Sequence, residues 1–508
     1  MRGPSSSHTA ASWRIGKLCL ELLNSPLKQA TIEFDQVGAW ATNYLEQGTV
    51  MGMNGGLMDL EISDTRMKNT QELLNKRELS INYELSSFPS QHVNSMRLSL
   101  QDIHGNQLQV MAASLGGGSF KIYQLDDFEV DLKGDYFELL IFGEKEKMIL
   151  GDIQSVLPTK IKINSSTFKN APLINLKSPK KISTELVNKL ESLANVKKVI
   201  RVNPILPIVS GNETALPFGN IASMLSYAEE ENYNLGELGL LYEKSLSGLS
   251  ENELNTKMQE IIQVIENSIQ TGLKGTFYED RILGQQSHLI QKAEKEKRIL
   301  QNSVVNKIIA NVTAIMEVKS AMEVFVANPT AGSCGTVGGV IKAIANELNS
   351  TNDSLIKAYF AAGIVGAYFA AGPGFSAEEH GCQVECGAAS GMAAAAIVQL
   401  FDGTAKQAID AASMAIQNMI GLICDPVADR VEVPCLGKNI SAAVNAYASA
   451  TMIRSGFDAI IPLDEVLETV SRVSSQMPAC VKCSGTGGLA ITKSAHDLKE
   501  KLKISIRK

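Results

Sequence analysis

The chain has 508 residues, a formal net charge of −7, 44% hydrophobic residues and 20% charged residues. That length supports two to four domains with large cores, and the absence of a long basic tract argues against nucleic acid as a partner. Eight cysteines in so long a chain do not make a disulfide framework, and seven of them follow residue 330. That skew points to reduced thiols with a local purpose and a cytoplasmic location.

The opening, Met1 to His8, has no apolar run, so no targeting segment is expected there. Ser12–Leu23 reads as a helix. Thr31–Phe34, Ser95–Leu100, Gln107–Ala112, Ser119–Leu125, Tyr136–Phe142 and Glu146–Leu150 read as strands. Residues 1–160 are therefore expected to form a small α+β domain. Residues 161–181, polar and containing Pro172 and Pro179, are expected to be a linker. Residues 182–508 are expected to be a large, mostly α-helical domain. Helical periodicity runs through Asn220–Glu230, Leu254–Thr271 and Leu289–Glu323. Ala- and Gly-rich helices follow at Gly338–Leu348, Ala388–Leu400, Thr404–Met419 and Ile440–Arg454. The uncharged stretch Ala358–Ala377 is broken by glycines and Pro373. It is expected to be a buried core helix rather than a membrane span.

Three motifs carry chemistry. Gly3-Pro4-Ser5-Ser6-Ser7-His8-Thr9 precedes the first helix. Its serines and amides suit a carboxylate or phosphate, and His8 suits proton movement; the alternative is a helix cap beside a surface histidine. Asn328 to Thr336 is a second such turn, in which Thr330 and Ser333 are placed to hold a carboxylate. It lacks the Gly-Lys-Ser/Thr ending of a nucleotide-binding loop. Cys382, Cys424 and Cys435 form the third. Pro426 and Pro434 force a loop between the last two, and Cys382 is expected at the start of the Ala-rich helix with Glu385 beside it. Spacing alone leaves an iron–sulfur cluster, a zinc site and separate core cysteines open. Cys386 is either a supporting thiol or a bystander.

Together these motifs, with Gly487-Gly488-Leu489-Ala490, occur in an order that resembles the iron–sulfur-dependent L-serine dehydratases in their single-chain arrangement. The resemblance implies an α+β domain beside an all-helical cluster domain. It also implies a [4Fe-4S] cluster held by Cys382, Cys424 and Cys435, and conversion of L-serine to pyruvate and ammonia without pyridoxal phosphate. Ser5, Ser6, Ser7, His8, Thr330, Ser333 and Glu385 are the implied catalytic residues. The implied partners are a small amino-acid substrate and a second copy of the chain in a homodimer, with no nucleic acid and no membrane. Two positions depart from the family pattern. Leu45 to Val50 has Gln47 and Val50 where the family has histidine and aspartate, and Lys482-Cys483 stands where it has Arg-Glu. The first departure leaves the proton acceptor to His8, Glu46 or another group. It keeps open a paralogue acting on another small amino or hydroxy acid, or a non-catalytic iron–sulfur protein.

Overall fold

The computed structural model describes residues 1–144, 146–157, 162–168, 171–208, 216–301 and 303–506. Period-two burial builds the first sheet from β1 (Leu27–Asp35), β2 (Ser80–Ser86), β3 (Ser95–Asp102), β4 (Gln107–Gly116), β5 (Ser119–Leu125) and β6 (Phe128–Leu132). The strand order is β2-β1-β3-β4-β5-β6. β1 and β2 are parallel and the other pairs antiparallel. Met96, Leu98 and Leu100 of β3 and Leu108, Val110 and Ala112 of β4 face one way. They meet Ile15, Leu18 and Leu22 of α1 (Ala11–Leu23) in one core. α2 (Thr49–Leu57) closes tightly on the start of the chain, and α3 (Thr70–Arg77) precedes β2. A Cβ on Gly52 would lie 2.2 Å from the Thr9 carbonyl oxygen, so only glycine permits that approach.

A second sheet has the order β10-β7-β9-β8. It comprises β7 (Phe137–Gly143), β8 (Lys162–Phe168), β9 (Ala171–Ser178) and β10 (Val196–Val202), with α4 (Glu146–Val156) after β7 and α5 (Thr184–Glu191) after β9. This βαββαβ arrangement has its own core of Leu139, Ile141, Ile153, Ile174, Leu176, Val187 and Leu190. Two expectations are corrected here. The stretch read as a polar linker carries two paired strands, because Pro172, Leu173, Ile174, Asn175, Leu176 and Lys177 are all buried within the sheet. Glu146–Leu150, read as a strand, is the first part of α4. The expected boundary at residues 160 and 161 lies outside the described residues.

From residue 221 onward the described residues are almost entirely helical: α6 (Ile221–Glu231), α7 (Leu235–Ser247), α8 (Glu251–Lys274), α9 (Ser287–Lys295), α10 (Val304–Ser320), α11 (Cys334–Leu348), α12 (Asn352–Ala371), α13 (Ala377–His380), α14 (Cys386–Leu400), α15 (Ala405–Gln417), α16 (Val433–Arg454), α17 (Leu463–Gln476) and α18 (Lys493–Ile506). The α+β and all-helical halves are therefore as the sequence predicts. The periodic stretch Leu289–Glu323 is two helices, since Lys297 adopts a left-handed backbone (φ 57°) that ends α9. α12 is long and apolar enough to cross a membrane by length and composition. Ala358, Phe360, Ala361 and Ala362 are nevertheless buried in the helical core, against α7 and α14. Every residue of α14 is buried. Its alanines and glycines let α11, α12, α15 and α16 pack around it, making it the axis of the helical half.

Candidate functional site

Three helix N-termini converge where the two halves meet. α14 begins at Cys386, four residues later than the sequence suggests, because Gly381 (φ 74°) and a tight turn at Cys382–Val384 interrupt the chain. Cys382 and Glu385 thus sit on the turn ahead of the axial helix. Pro434 occupies the first turn of α16, where its missing N–H costs nothing. Cys435, Lys438 and Asn439 then fall at spacings of three and four residues along one side of that helix. α11 starts directly after the Thr330–Ser333 turn.

The Sγ atoms of Cys382 and Cys424 and a carboxylate oxygen of Glu385 all lie within 4.8 Å of one another. The Cys382 thiol donates to Glu385 Oε2 at 3.8 Å, and the Thr330 hydroxyl donates to Glu385 Oε1 at 2.6 Å. Burial, reinforced by the charge of Glu378 and opposed by the Thr330 hydrogen bond, pushes the Glu385 carboxyl up to about 7. Gly332 makes room for it, since a Cβ there would stand 2.7 Å from Glu385 Oε1. Cys435 is buried nearby but outside this tight triad. Its thiol is pushed up by burial first, and by the charges of Cys382 and Glu385. Cys386 points instead toward Met419 and Ala442, with Asn439 Nδ2 3.8 Å from its sulfur.

The loop from Cys424 to Cys435 is anchored along its length. Asp425 accepts from Lys438 Nζ at 2.5 Å and from the Leu489 amide at 2.9 Å, tying the Gly487–Ala490 segment to the cysteine loop. Arg430 Nη2 bonds Asp280 at 2.5 Å, and Glu432 accepts from the Ile282 and Leu283 amides at 3.0 and 2.8 Å. Lys438 also reaches to 3.9 Å from Cys382 Sγ. Burial lowers its pKa, but Cys382, Cys424 and Asp425 outweigh burial and hold the ammonium charged.

The N-terminal motif reaches the site from the other half. Ser5 caps a single π-helical turn, Ser6–Ala10. His8 is wholly buried, with Nδ1 3.1 Å from Ser5 Oγ and 3.2 Å from Ser7 Oγ, and Nε2 2.9 Å from Asn43 Oδ1. The reading of His8 as a surface residue is thereby excluded. Burial lowers its pKa, against the opposing pull of Glu378 and Asn43, so the ring is neutral near pH 7. With Nε2–H donating to Asn43, Nδ1 is the free acceptor for the serine hydroxyls. The Ser7 hydroxyl donates to Glu378 Oε1 at 2.7 Å, and Ser6 Oγ accepts from the Ala331 amide at 3.2 Å. Thr330 Oγ1 and Ser333 Oγ are 3.1 Å apart. The sequence-selected hydroxyls therefore fall into two buried hydrogen-bonded groups, Ser5, Ser7 and His8 with Glu378, and Thr330 and Ser333 with Glu385, and Ser6 joins the two segments by accepting from the Ala331 amide.

Sequence reasoning missed Glu378, Lys438 and Asn439. Asn439 is fully buried and accepts from the Gly335 amide (3.1 Å) and the Thr336 hydroxyl (3.0 Å). It donates to the carbonyls of Gly332 (2.7 Å) and Cys435 (2.8 Å). Its signal was its place one helical turn after Cys435. Glu385 accepts from the Thr330 hydroxyl. His380 closes α13 and is half-buried; His92 Nε2 pairs with Glu379 at 3.2 Å.

Several buried thiols beside one carboxylate, none in a disulfide, form a donor set suited to a soft metal centre. The Lys438 ammonium and the Glu385 carboxyl lie against these thiols, an arrangement that suits thiolates bound to a metal. The donor set and its charged surroundings fit an iron–sulfur cofactor.

Residues 178–490 match the family described as serine dehydratase alpha chain. The probable L-serine dehydratase alpha chain of Bacillus subtilis (strain 168) is 33% identical over 285 residues, 56% of this chain and 95% of that protein. The corresponding protein of Latilactobacillus sakei is 38% identical over 196 residues, 39% of this chain and 94% of its own length. L-serine dehydratase 1 of Escherichia coli (strain K12) is 30% identical over 295 residues, 56% of this chain and 64% of that protein.

Proposed function

The chain belongs to the serine dehydratase alpha-chain family and is an iron–sulfur-dependent lyase, and we propose that it dehydrates L-serine to pyruvate and ammonia at a [4Fe-4S] cluster held by Cys382, Cys424 and Cys435. The observation that carries this reading is the burial of the Cys382–Glu385–Cys424 triad beside the Thr330–Ser333 turn, whose Thr330 hydroxyl bonds Glu385, with the Ser5–His8 segment docked on that turn through Ser6 and the Ala331 amide. When bound, the cluster supplies a Lewis acid toward the substrate's β-hydroxyl. The chain's own residues do the rest. The hydroxyls of Ser5, Ser6, Ser7, Thr330 and Ser333 hold the substrate carboxylate, and the paired carboxylates Glu378 and Glu385 attract its ammonium group. Neutral His8, with Nδ1 facing the serines, accepts the α-proton. Loss of that proton and of hydroxide leaves an enamine, and addition of water to its imine tautomer releases ammonia and pyruvate. Burial of these residues keeps bulk water from the reacting atoms.

Gln47 favours a second reading. It is 1% exposed, with Nε2 3.8 Å from the sulfur of Cys483, and an amide takes no proton at neutral pH. A relative acting on a different small amino or hydroxy acid would tolerate it. Anaerobic purification with iron and sulfide quantified, followed by a pyruvate assay on L-serine, separates the two. About four irons with pyruvate formed establishes the first. The same iron content with turnover only of another small acid establishes the second. No iron after anaerobic reconstitution sinks both.

A further inference from the structure

One buried cation behind the site has no carboxylate to pair with. Lys319 lies near the end of α10, a helix packed against α16, and is fully buried. Its Nζ donates to the carbonyl of Val431, in the loop that leads to Cys435. Among the described residues that carbonyl is the one bonding partner of the ammonium, and no carboxylate forms an ion pair with it. The acidic groups nearby in the chain are committed elsewhere. Glu317 accepts from the Gln286 and Ser287 amides at 2.5 and 2.7 Å and from the Ser287 hydroxyl at 2.8 Å. Glu432 takes the Ile282 and Leu283 amides, and Asp425 takes Lys438. A buried ammonium left with a single carbonyl is costly unless negative charge stands close by. The groups its field reaches are those of the site: Cys435, Cys334 and Glu385. At Cys435 it is the largest charge effect, ahead of Lys438, and it favours the thiolate. Thiolates bound to an iron–sulfur core make the centre anionic, and such a centre is the counter-ion that Lys319 otherwise lacks.

We propose that Lys319 is a positioning residue of the metal centre: it supplies positive counter-charge at Cys435 and, through the Val431 carbonyl, fixes the loop that presents that cysteine. The inference rests on the cluster reading above and adds to it a residue that is not a ligand. A positive charge beside the centre favours its reduced over its oxidised state. Lys319 therefore raises the reduction potential and makes the loaded centre harder to oxidise. No bond forms or breaks in this role. Lys438, 3.9 Å from Cys382 Sγ, places a second cation at another ligand, so charge is supplied from both α10 and α16.

The test is a redox titration followed by electron paramagnetic resonance on the full-length protein, reconstituted anaerobically, as wild type, Lys319→Gln and Lys319→Arg, with iron and sulfide quantified in each. Glutamine keeps an N–H donor for Val431 and loses the charge, whereas arginine keeps the charge. The expected result is the wild-type potential in Lys319→Arg. In Lys319→Gln the centre should be about tenfold harder to reduce, a potential about 59 mV more negative for one electron. An iron-loaded Lys319→Gln with unchanged potential overturns the proposal and leaves the cluster assignment intact. Iron lost equally from both variants shows a packing role and also overturns it. If neither variant folds, hydrogen exchange on the wild type decides. The amides of residues 318–322 should exchange faster once iron is chelated, and equal exchange in the loaded and iron-free protein overturns the proposal. A protein that takes up no iron in any form overturns the cluster assignment and this proposal with it.

Discussion

Replacing Asn439 with alanine tests whether the site is held together by one buried amide. In the wild type its Oδ1 satisfies the Gly335 N–H and its Nδ2 satisfies the Gly332 carbonyl, with Thr336 and Cys435 as further partners. The Cys435 carbonyl and the Thr336 hydroxyl keep other options, the hydroxyl through the Asn439 backbone oxygen at 3.2 Å. The Gly335 N–H and Gly332 C=O do not, and each buried group left unsatisfied costs about 1–3 kcal/mol. Adding the small cavity, Asn439→Ala should destabilise by roughly 3–5 kcal/mol. A chain of 508 residues unfolding cooperatively has an unfolding entropy of about 1 kcal/mol per degree, so the melting temperature should fall by about 3–5 °C. Because Gly332 abuts Glu385 and Cys435 heads the same helix, iron retained after anaerobic desalting should fall as well. Differential scanning fluorimetry and iron analysis on the same preparation read both effects. A melting temperature within about 1 °C of wild type, with iron fully retained, would refute the assignment of Asn439 as the brace of the site.

Cys424→Ser should lose most of the iron bound by the wild type after anaerobic reconstitution, and iron content equal to wild type would count against Cys424 as a ligand. Gly332→Ala should disturb the site without unfolding the chain, since the new Cβ lies 2.7 Å from Glu385 Oε1. Overpacking of this kind costs about 1–3 kcal/mol, and turnover should fall by more than the melting temperature suggests; unaltered turnover contradicts the placement of Glu385. Glu138 in the second sheet offers a pH test. It is buried, accepts from Asn175 Nδ2 at 2.7 Å, and burial raises its carboxyl from 4.5 to about 7. A carboxyl raised on folding favours the folded state below its unfolded pKa and loses that advantage as pH rises through the folded one. At ~1.4 kcal/mol per pH unit the loss between pH 4.5 and 7 is about 3 kcal/mol. Glu138→Gln removes the ionisation, so its stability should decline less than that of wild type between pH 5 and 8. Parallel pH profiles of thermal unfolding for the two proteins would contradict this.

The α-helical half was legible because its helices are long and strongly periodic. Four strands of the first sheet, β1, β3, β4 and β5, were legible, β3 and β4 through clean alternation, while β2 and β6 were not. Of the second sheet only β7 was read as a strand. In β9 successive residues are buried on both faces of the strand, and the charge of Lys177 with the two prolines gave the segment the composition of a loop. Glu146–Leu150 was too short a run to show whether its period was two or 3.6. Within the site, the hydroxyl motifs and the cysteines could be selected from residue type and order. Glu378 could not, because a glutamate among Glu378-Glu379-His380 is marked as functional only by the burial that tertiary contact imposes. The backbone pairing of Cys424 with Lys482 likewise brings together two stretches of the chain that no spacing rule connects.

The contacts around the candidate site come from two halves joined by one covalent connection. Ser6 meets Ala331, Ser7 meets Glu378, Gln47 meets Cys483, and Arg2 meets Glu323 at 2.9 Å. None of the described residues between β10 and α6 takes part in these contacts. The covalent connection converts a bimolecular encounter of the two halves into one at about millimolar effective concentration. Two polypeptides divided between Val202 and Ile221 would present the same surfaces to each other, but occupancy of the joined state would then depend on how much of each was made. In the undivided chain, a complete site is fixed at one per molecule regardless of dilution.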